Sequence, residues 1–161
     1  EVVVDVTEPE GQIVGDADLL AQVIQNLVGN AQKYSQPGEP VRVSVKSRPG
    51  WVRITVTDTG PGIPAEALER IFEKFFRVSV DEALLDDVGD RLAVSTTQGP
   101  AVAGVSDSPR PPGLGLGLYI CRQVVLAHRG RIWAENVVPS GARPGAAPTG
   151  TRFNVDLPCT V

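Results

Sequence analysis

Three groups of residues in this chain have the types and the spacing to do chemistry. Asn26, Asn30 and Lys33 stand four and three residues apart, so on a helix they form one stripe. Asparagine is a mediocre helix former, and two in one interior stripe ask for a reason beyond the helix. An amide oxygen suits a hard cation such as Mg2+, and a lysine ammonium suits phosphate. Taken alone, the stripe also reads as a solvated polar edge beside an apolar face.

Asp58 follows Val52, Ile54 and Val56 at period two, which predicts a carboxylate turned toward the core. Burying it is costly unless it is paired or hydrogen-bonded. Thr59-Gly60-Pro61-Gly62-Ile63 comes next, where glycines let a backbone bend closely around a ligand. A carboxylate in such a niche can accept from an exocyclic amine, or it can simply cap its own turn. The third group is Gly113-Leu114-Gly115-Leu116-Gly117-Leu118, running into a helix. A helix start offers unpaired N–H groups and partial positive charge, which suits phosphate. No Gly-Lys-Ser/Thr follows, so it is not a P-loop. No strand precedes it, so it is not a dinucleotide fingerprint.

These groups need elements to hold them. Val2, Val4 and Val6 alternate with other residues as a short strand, and Gln12–Val14 is a second candidate. Residues 16–35 repeat apolar side chains at helical spacing, with Asp16 as a cap and Pro37-Gly38 as the stop. Val41–Val45 and Val52–Val56 alternate around Pro49-Gly50, a hairpin. Residues 64–76 are expected as a short helix with Pro near its first turn. Residues 115–128 form another helix closed by Gly130. Residues 131–136 and 151–157 are the last strands, joined by a Gly- and Pro-rich connector over 137–150. Residues 77–112 show little periodicity after Leu85 and are too long for an ordinary loop. This order lacks the strand–helix alternation of a doubly wound sheet. It fits an α+β sandwich, a mixed sheet with helices on one face.

Composition narrows the functions. The 161 residues suit one domain, and 42% hydrophobic against 21% charged residues can close a core. A net charge of −4 argues against nucleic-acid binding by phosphate neutralisation. No long apolar run predicts membrane contact, and no signal peptide is visible. Cys121 and Cys159 form neither a metal spacing nor a disulfide framework, so a reducing, cytoplasmic setting is expected. His128 is the only histidine, which removes every mechanism needing two. Its place before Arg129-Gly130 suits a helix C-terminal cap.

The order of the motifs is more specific than any one of them. Asn-x-x-x-Asn-Ala-x-Lys-Tyr is followed by Asp-x-Gly-x-Gly-Ile, then Ile-Phe-Glu-Lys-Phe-Phe-Arg, then Gly-x-Gly-x-Gly-Leu. This resembles the catalytic ATP-binding domain of bacterial sensor histidine kinases, within the Bergerat-fold ATPases. The four segments look like that family's N, G1, F and G2 boxes, at residues 26–34, 58–63, 71–77 and 113–118. The resemblance spans nearly all of residues 1–161, read as one domain. It implies a two-layer α/β sandwich, a mixed five-stranded sheet on three helices, with an ATP lid over about 77–112.

The same resemblance implies roles. Asn30 is the expected Mg2+ ligand with Asn26 beside it, Lys33 contacts phosphate, and Tyr34 packs on the nucleotide. Asp58 accepts the adenine amine, while Gly60, Gly62 and Ile63 shape the base pocket. Phe72, Phe75 and Phe76 anchor the lid base. Gly113, Leu114, Gly115, Leu116, Gly117 and Leu118 surround the phosphates, and Arg77 and Arg110 could reach the terminal one. Leu114 departs from the family's usual small hydroxyl residue, which removes one phosphate contact, and the lid is longer than is common. Hydrolytic members carry Glu at the position of Asn26. An amide cannot serve as that base, so transfer to a better nucleophile is implied. ATP and Mg2+ are the expected cofactors. The expected partners are a dimerisation domain bearing the acceptor histidine, which this chain lacks, and a response regulator. The whole protein is expected to be a membrane-bound sensor. Two other readings stay open: an anti-sigma-factor-type serine kinase, and a degenerate module that binds no nucleotide.

Overall fold

The computed structural model describes residues 1–6, 11–78, 115–143 and 145–160. Five strands form one mixed sheet: β1 (Val2–Val6), β2 (Val41–Arg48), β3 (Trp51–Thr57), β4 (Arg131–Val137) and β5 (Gly150–Pro158), in the order β1-β2-β3-β5-β4. β1 runs parallel to β2, and the other pairs are antiparallel. Two helices, α1 (Ala17–Tyr34) and α2 (Gly117–Ala127), pack on each other and on one face of the sheet. The α+β sandwich expected from the sequence is the observed architecture.

α1 starts where Asp16 Oδ1 accepts from the N–H groups of Asp18 and Leu19, both at 3.0 Å. It buries Val23, Leu27 and Ala31, spaced four residues apart, against the inward rows of the strands. Val41, Val56, Val155 and Leu157 complete that interior, each at most 2% exposed. Val52, Ile54 and Val56 alternate inward along β3 and carry the same phase on to Asp58.

Two expected elements differ. Residues 64–76 are not an α-helix but two short 3-10 turns, Ala65–Ala67 and Arg70–Phe72. The sequence neighbours Ile71 and Phe72 are both buried, and Phe72 meets Phe153 edge-on at 6.5 Å. Gln12–Val14 is not a strand either: Gln12 makes one isolated bridge to Thr160, and Val14 is 81% exposed. The connector over 137–150 is the β4–β5 loop, closed by a bond from the Thr149 N–H to the Val137 carbonyl at 2.8 Å. The expected lid falls, from residue 79 on, outside the described residues, as do Arg110, Gly113 and Leu114.

Candidate functional site

β3 ends at Thr57 and delivers Asp58 to the interior, where it is 4% exposed. Its Oδ1 accepts from the N–H groups of Gly60 and Thr151, both at 2.9 Å. Both protein donors go to this one oxygen. Oδ2 has no protein donor among the described residues. Burial pushes the carboxyl pKa up, and the two N–H groups only partly offset it. The loop that follows is pressed on the end of α1: a Cβ at Gly60 would fall 2.6 Å from the Tyr34 carbonyl oxygen. Thr59 Oγ1 also accepts from the Gln36 N–H at 3.3 Å.

On the other side, the chain returns from residue 114 at Gly115, whose φ is +68°. The Gly115 carbonyl accepts from the N–H of Phe75 at 3.2 Å. Phe75 itself has φ +64°, the left-handed region that is uncommon for a non-glycine residue. α2 then begins without a side-chain cap among the described residues, so its first N–H groups can serve another partner.

Between these elements lies a cavity of about 290 Å3. Asn30, Lys33, Tyr34, Asp58, Gly62, Ile63, Arg77, Gly115, Gly117 and Leu118 line it, as do Pro61 and Phe76. Ile71, Val78, Thr151 and Phe153 line it too and escape the sequence reading. Thr151 and Phe153 sit on the inward phase of β5, a visible signal. Their nearness to Asp58 is a matter of β3–β5 register, which no local pattern shows. Gly60, Phe75 and Leu116 lie outside the lining. Phe75 is 60% exposed at the stem that Gly115 closes.

Asn26 is not in the lining either. Its side chain lies near enough to the Cys121 thiol to oppose the effect of burial on it; that thiol is buried against α1 and meets the Val23 carbonyl at 3.8 Å. Burial pushes that thiol up to about 11, so it stays protonated near neutral pH and is no nucleophile.

His128 sits at the far end of α2 from Gly117. Its Nε2 accepts from the Asp16 N–H at 2.9 Å, and its Nδ1 meets the Val124 carbonyl at 2.7 Å. The two contacts require the proton on Nδ1. The ring therefore caps α2, as its position suggests, and also ties it to the start of α1. Gly15 leaves room for it, because a Cβ there would strike the ring. His128→Ala should lower stability by about 1 kcal/mol, the scale of one capping bond. A urea unfolding midpoint measures this, and no change would discount the tie.

The description "Histidine kinase-, DNA gyrase B-, and HSP90-like ATPase" matches residues 15–161. This chain belongs to that family. The chain is 36% identical over 155 residues to the signal transduction histidine-protein kinase/phosphatase MprB of Mycobacterium sp. (strain KMS). It is 33% identical over 143 residues to the adaptive-response sensory kinase SasA of Crocosphaera subtropica. The matches cover 96% and 88% of this chain but only 24% and 30% of those proteins. This ATPase-family chain thus spans less than a third of the curated relatives' length. Among solved structures, a mycobacterial sensor histidine kinase MprB superposes with a TM-score of 0.66 at 31% identity, covering 98% of this chain and 82% of that one. Among the described residues no helix is long and apolar enough to cross a membrane.

Proposed function

We propose that this domain binds Mg-ATP in the cavity and donates the γ-phosphate to a histidine on a separate dimerisation domain of a two-component sensor kinase. The observation that carries the reading is Asp58. Among the described residues its Oδ2 has no protein donor, and it stands at one end of a cavity whose other walls hold Asn30, Lys33 and the start of α2, which has no side-chain cap. An adenine amine would supply the missing donor. Ile63, Ile71, Phe76 and Phe153 offer apolar surface for the base. Lys33 and the N–H groups of Gly117 and Leu118 would meet the phosphates.

Mg2+ fits this donor set as a nucleotide-borne ion. Among the described residues no three His, Cys, Asp or Glu gather to hold a metal alone. Mg2+ usually takes one or two protein oxygens plus phosphates, and Asn30 is the amide lining the cavity. Bound there, it would neutralise charge on the transferring group. We assign Asn26 no carboxylate-like role: an amide cannot take a proton from water. The similarity to MprB, named a histidine-protein kinase/phosphatase, favours histidine over serine as the acceptor. His128 is not that acceptor, because both its ring nitrogens are engaged. A response regulator would take the phosphate next.

Calorimetric titration with a non-hydrolysable ATP analogue, with and without Mg2+, tests this. Tight Mg-dependent binding is expected, and Asn30→Ala should remove most of the Mg-dependent gain, about tenfold. The domain alone should retain no acid-labile phosphate after incubation with labelled ATP. Absence of binding would overturn the reading, and stable label on His128 would overturn the need for a second domain.

A further inference from the structure

The loop from Asp58 to Ile63 has no regular structure of its own, yet Pro61, Gly62 and Ile63 form part of the cavity wall. Its shape must come from its anchors. The first is Asp58 Oδ1, which holds Gly60 and Thr151. The second is Asn136 on β4. Asn136 Oδ1 accepts from the Ile63 N–H at 2.8 Å, and Asn136 Nδ2 donates to the Ile63 carbonyl at 2.6 Å. One side chain thus pairs both backbone groups of one loop residue, as a neighbouring strand would. The amide orientation is determined, since a flip would set donor against donor and acceptor against acceptor.

The two anchors are themselves linked. Asn136 lies directly opposite Thr151 in the β4–β5 register, and Thr151 donates to Asp58. The loop is therefore hung at both ends from one rung of the sheet. The clamp is close: a Cβ at Gly62, whose φ is +81°, would fall 2.9 Å from Asn136 Oδ1 and inside contact distance of the Pro148 ring. Asn136 is absent from the cavity lining, so whatever it does for a ligand it does through Ile63 and Gly62.

We propose that Asn136 is a positioning residue for the base end of the cavity, holding the Gly62–Ile63 wall in register with Asp58. The proposal rests on the nucleotide reading above. Its consequence is selective. Loss of the clamp frees the base wall but leaves Asn30, Lys33 and the start of α2 in place.

The test compares wild type, Asn136→Ala and Asn136→Asp by calorimetry with a non-hydrolysable ATP analogue, with and without Mg2+, and by amide exchange at Ile63 in the nucleotide-free protein. Asn136→Ala should weaken the analogue about tenfold under both conditions, so that the Mg-dependent gain survives. Exchange at Ile63 should accelerate. Asn136→Asp keeps an acceptor for the Ile63 N–H but sets a carboxylate oxygen against its carbonyl, and should weaken the analogue at least as much. It also carries the comparison should Asn136→Ala fail to fold. Unchanged affinity in a variant with fast Ile63 exchange would overturn the proposal, leaving the clamp merely structural. Weakening that also removes the Mg-dependent gain would overturn it too, as general loosening. A wild type that binds no analogue would sink the nucleotide reading and this role with it, while exchange at Ile63 would still report the clamp.

Discussion

Asp58→Asn is expected to abolish nucleotide binding while leaving the fold intact. Among the described residues both protein donors at this site go to Oδ1, so the amide oxygen of an asparagine can keep the bonds from Gly60 and Thr151. The amide nitrogen then takes the place of Oδ2. There it presents a donor to the adenine amine, itself a donor. The substitution removes a charge-assisted bond worth about 1.5–3 kcal/mol and sets two donors face to face, so affinity should fall about a hundredfold or more.

Stability should move the other way. Burial raises the Asp58 pKa above the ordinary 3.8, so the folded protein holds this proton more tightly than the unfolded chain does. Ionisation therefore costs stability. The cost is absent below the ordinary value and complete above the raised folded one. At pH 7 the D58N chain is free of it, and its urea midpoint should equal or exceed that of wild type. The difference should shrink as acid protonates Asp58. Nucleotide affinity of the wild type should fall over the same descent, as the acceptor becomes a neutral acid. A D58N chain that binds ATP normally would remove Asp58 from the site. One that fails to fold would show the carboxylate to be structural.

Gly150→Ala should have the largest effect on folding. Gly150 opens β5, and a Cβ there would lie well inside contact distance of the Asp58 carbonyl oxygen, with the Thr59 Cα at 3.4 Å. The obstacle is backbone, which has no rotamer to yield. The same stretch carries the bond from the Asp58 N–H to the Thr151 carbonyl at 2.9 Å, so β5 cannot withdraw without losing it. Overpacking of this kind costs about 3 kcal/mol, read as a lower urea midpoint at unchanged slope. Any folded fraction should also bind nucleotide poorly, because Asp58 and Thr151 move apart. A loss below about 1 kcal/mol would mean the strand end relaxes freely. The pair of variants separates two duties of one place: D58N keeps the fold and loses the ligand, and G150A loses the fold first.

Much of this was legible beforehand. Helical spacing located α1, Gly130 marked the close of α2, period-two runs located the β2–β3 hairpin and β5, and the phase of Val52, Ile54 and Val56 turned Asp58 inward. Four ordered motifs pointed to the family that residues 15–161 match. These readings succeed because a side chain's face depends on backbone period alone, which a short stretch of sequence contains. Tertiary structure decided the rest. It gave Asp58 its second donor from Thr151, 93 residues away, and clamped Ile63 with Asn136, 73 residues away. It broke the expected helix over 64–76 into two 3-10 turns, the second of which buries Ile71 and Phe72. It also left Asn26 near the Cys121 thiol and out of the cavity lining. Each of these depends on which strand lies beside which and in what register. That is set by packing the whole apolar interior at once, and no local pattern encodes it.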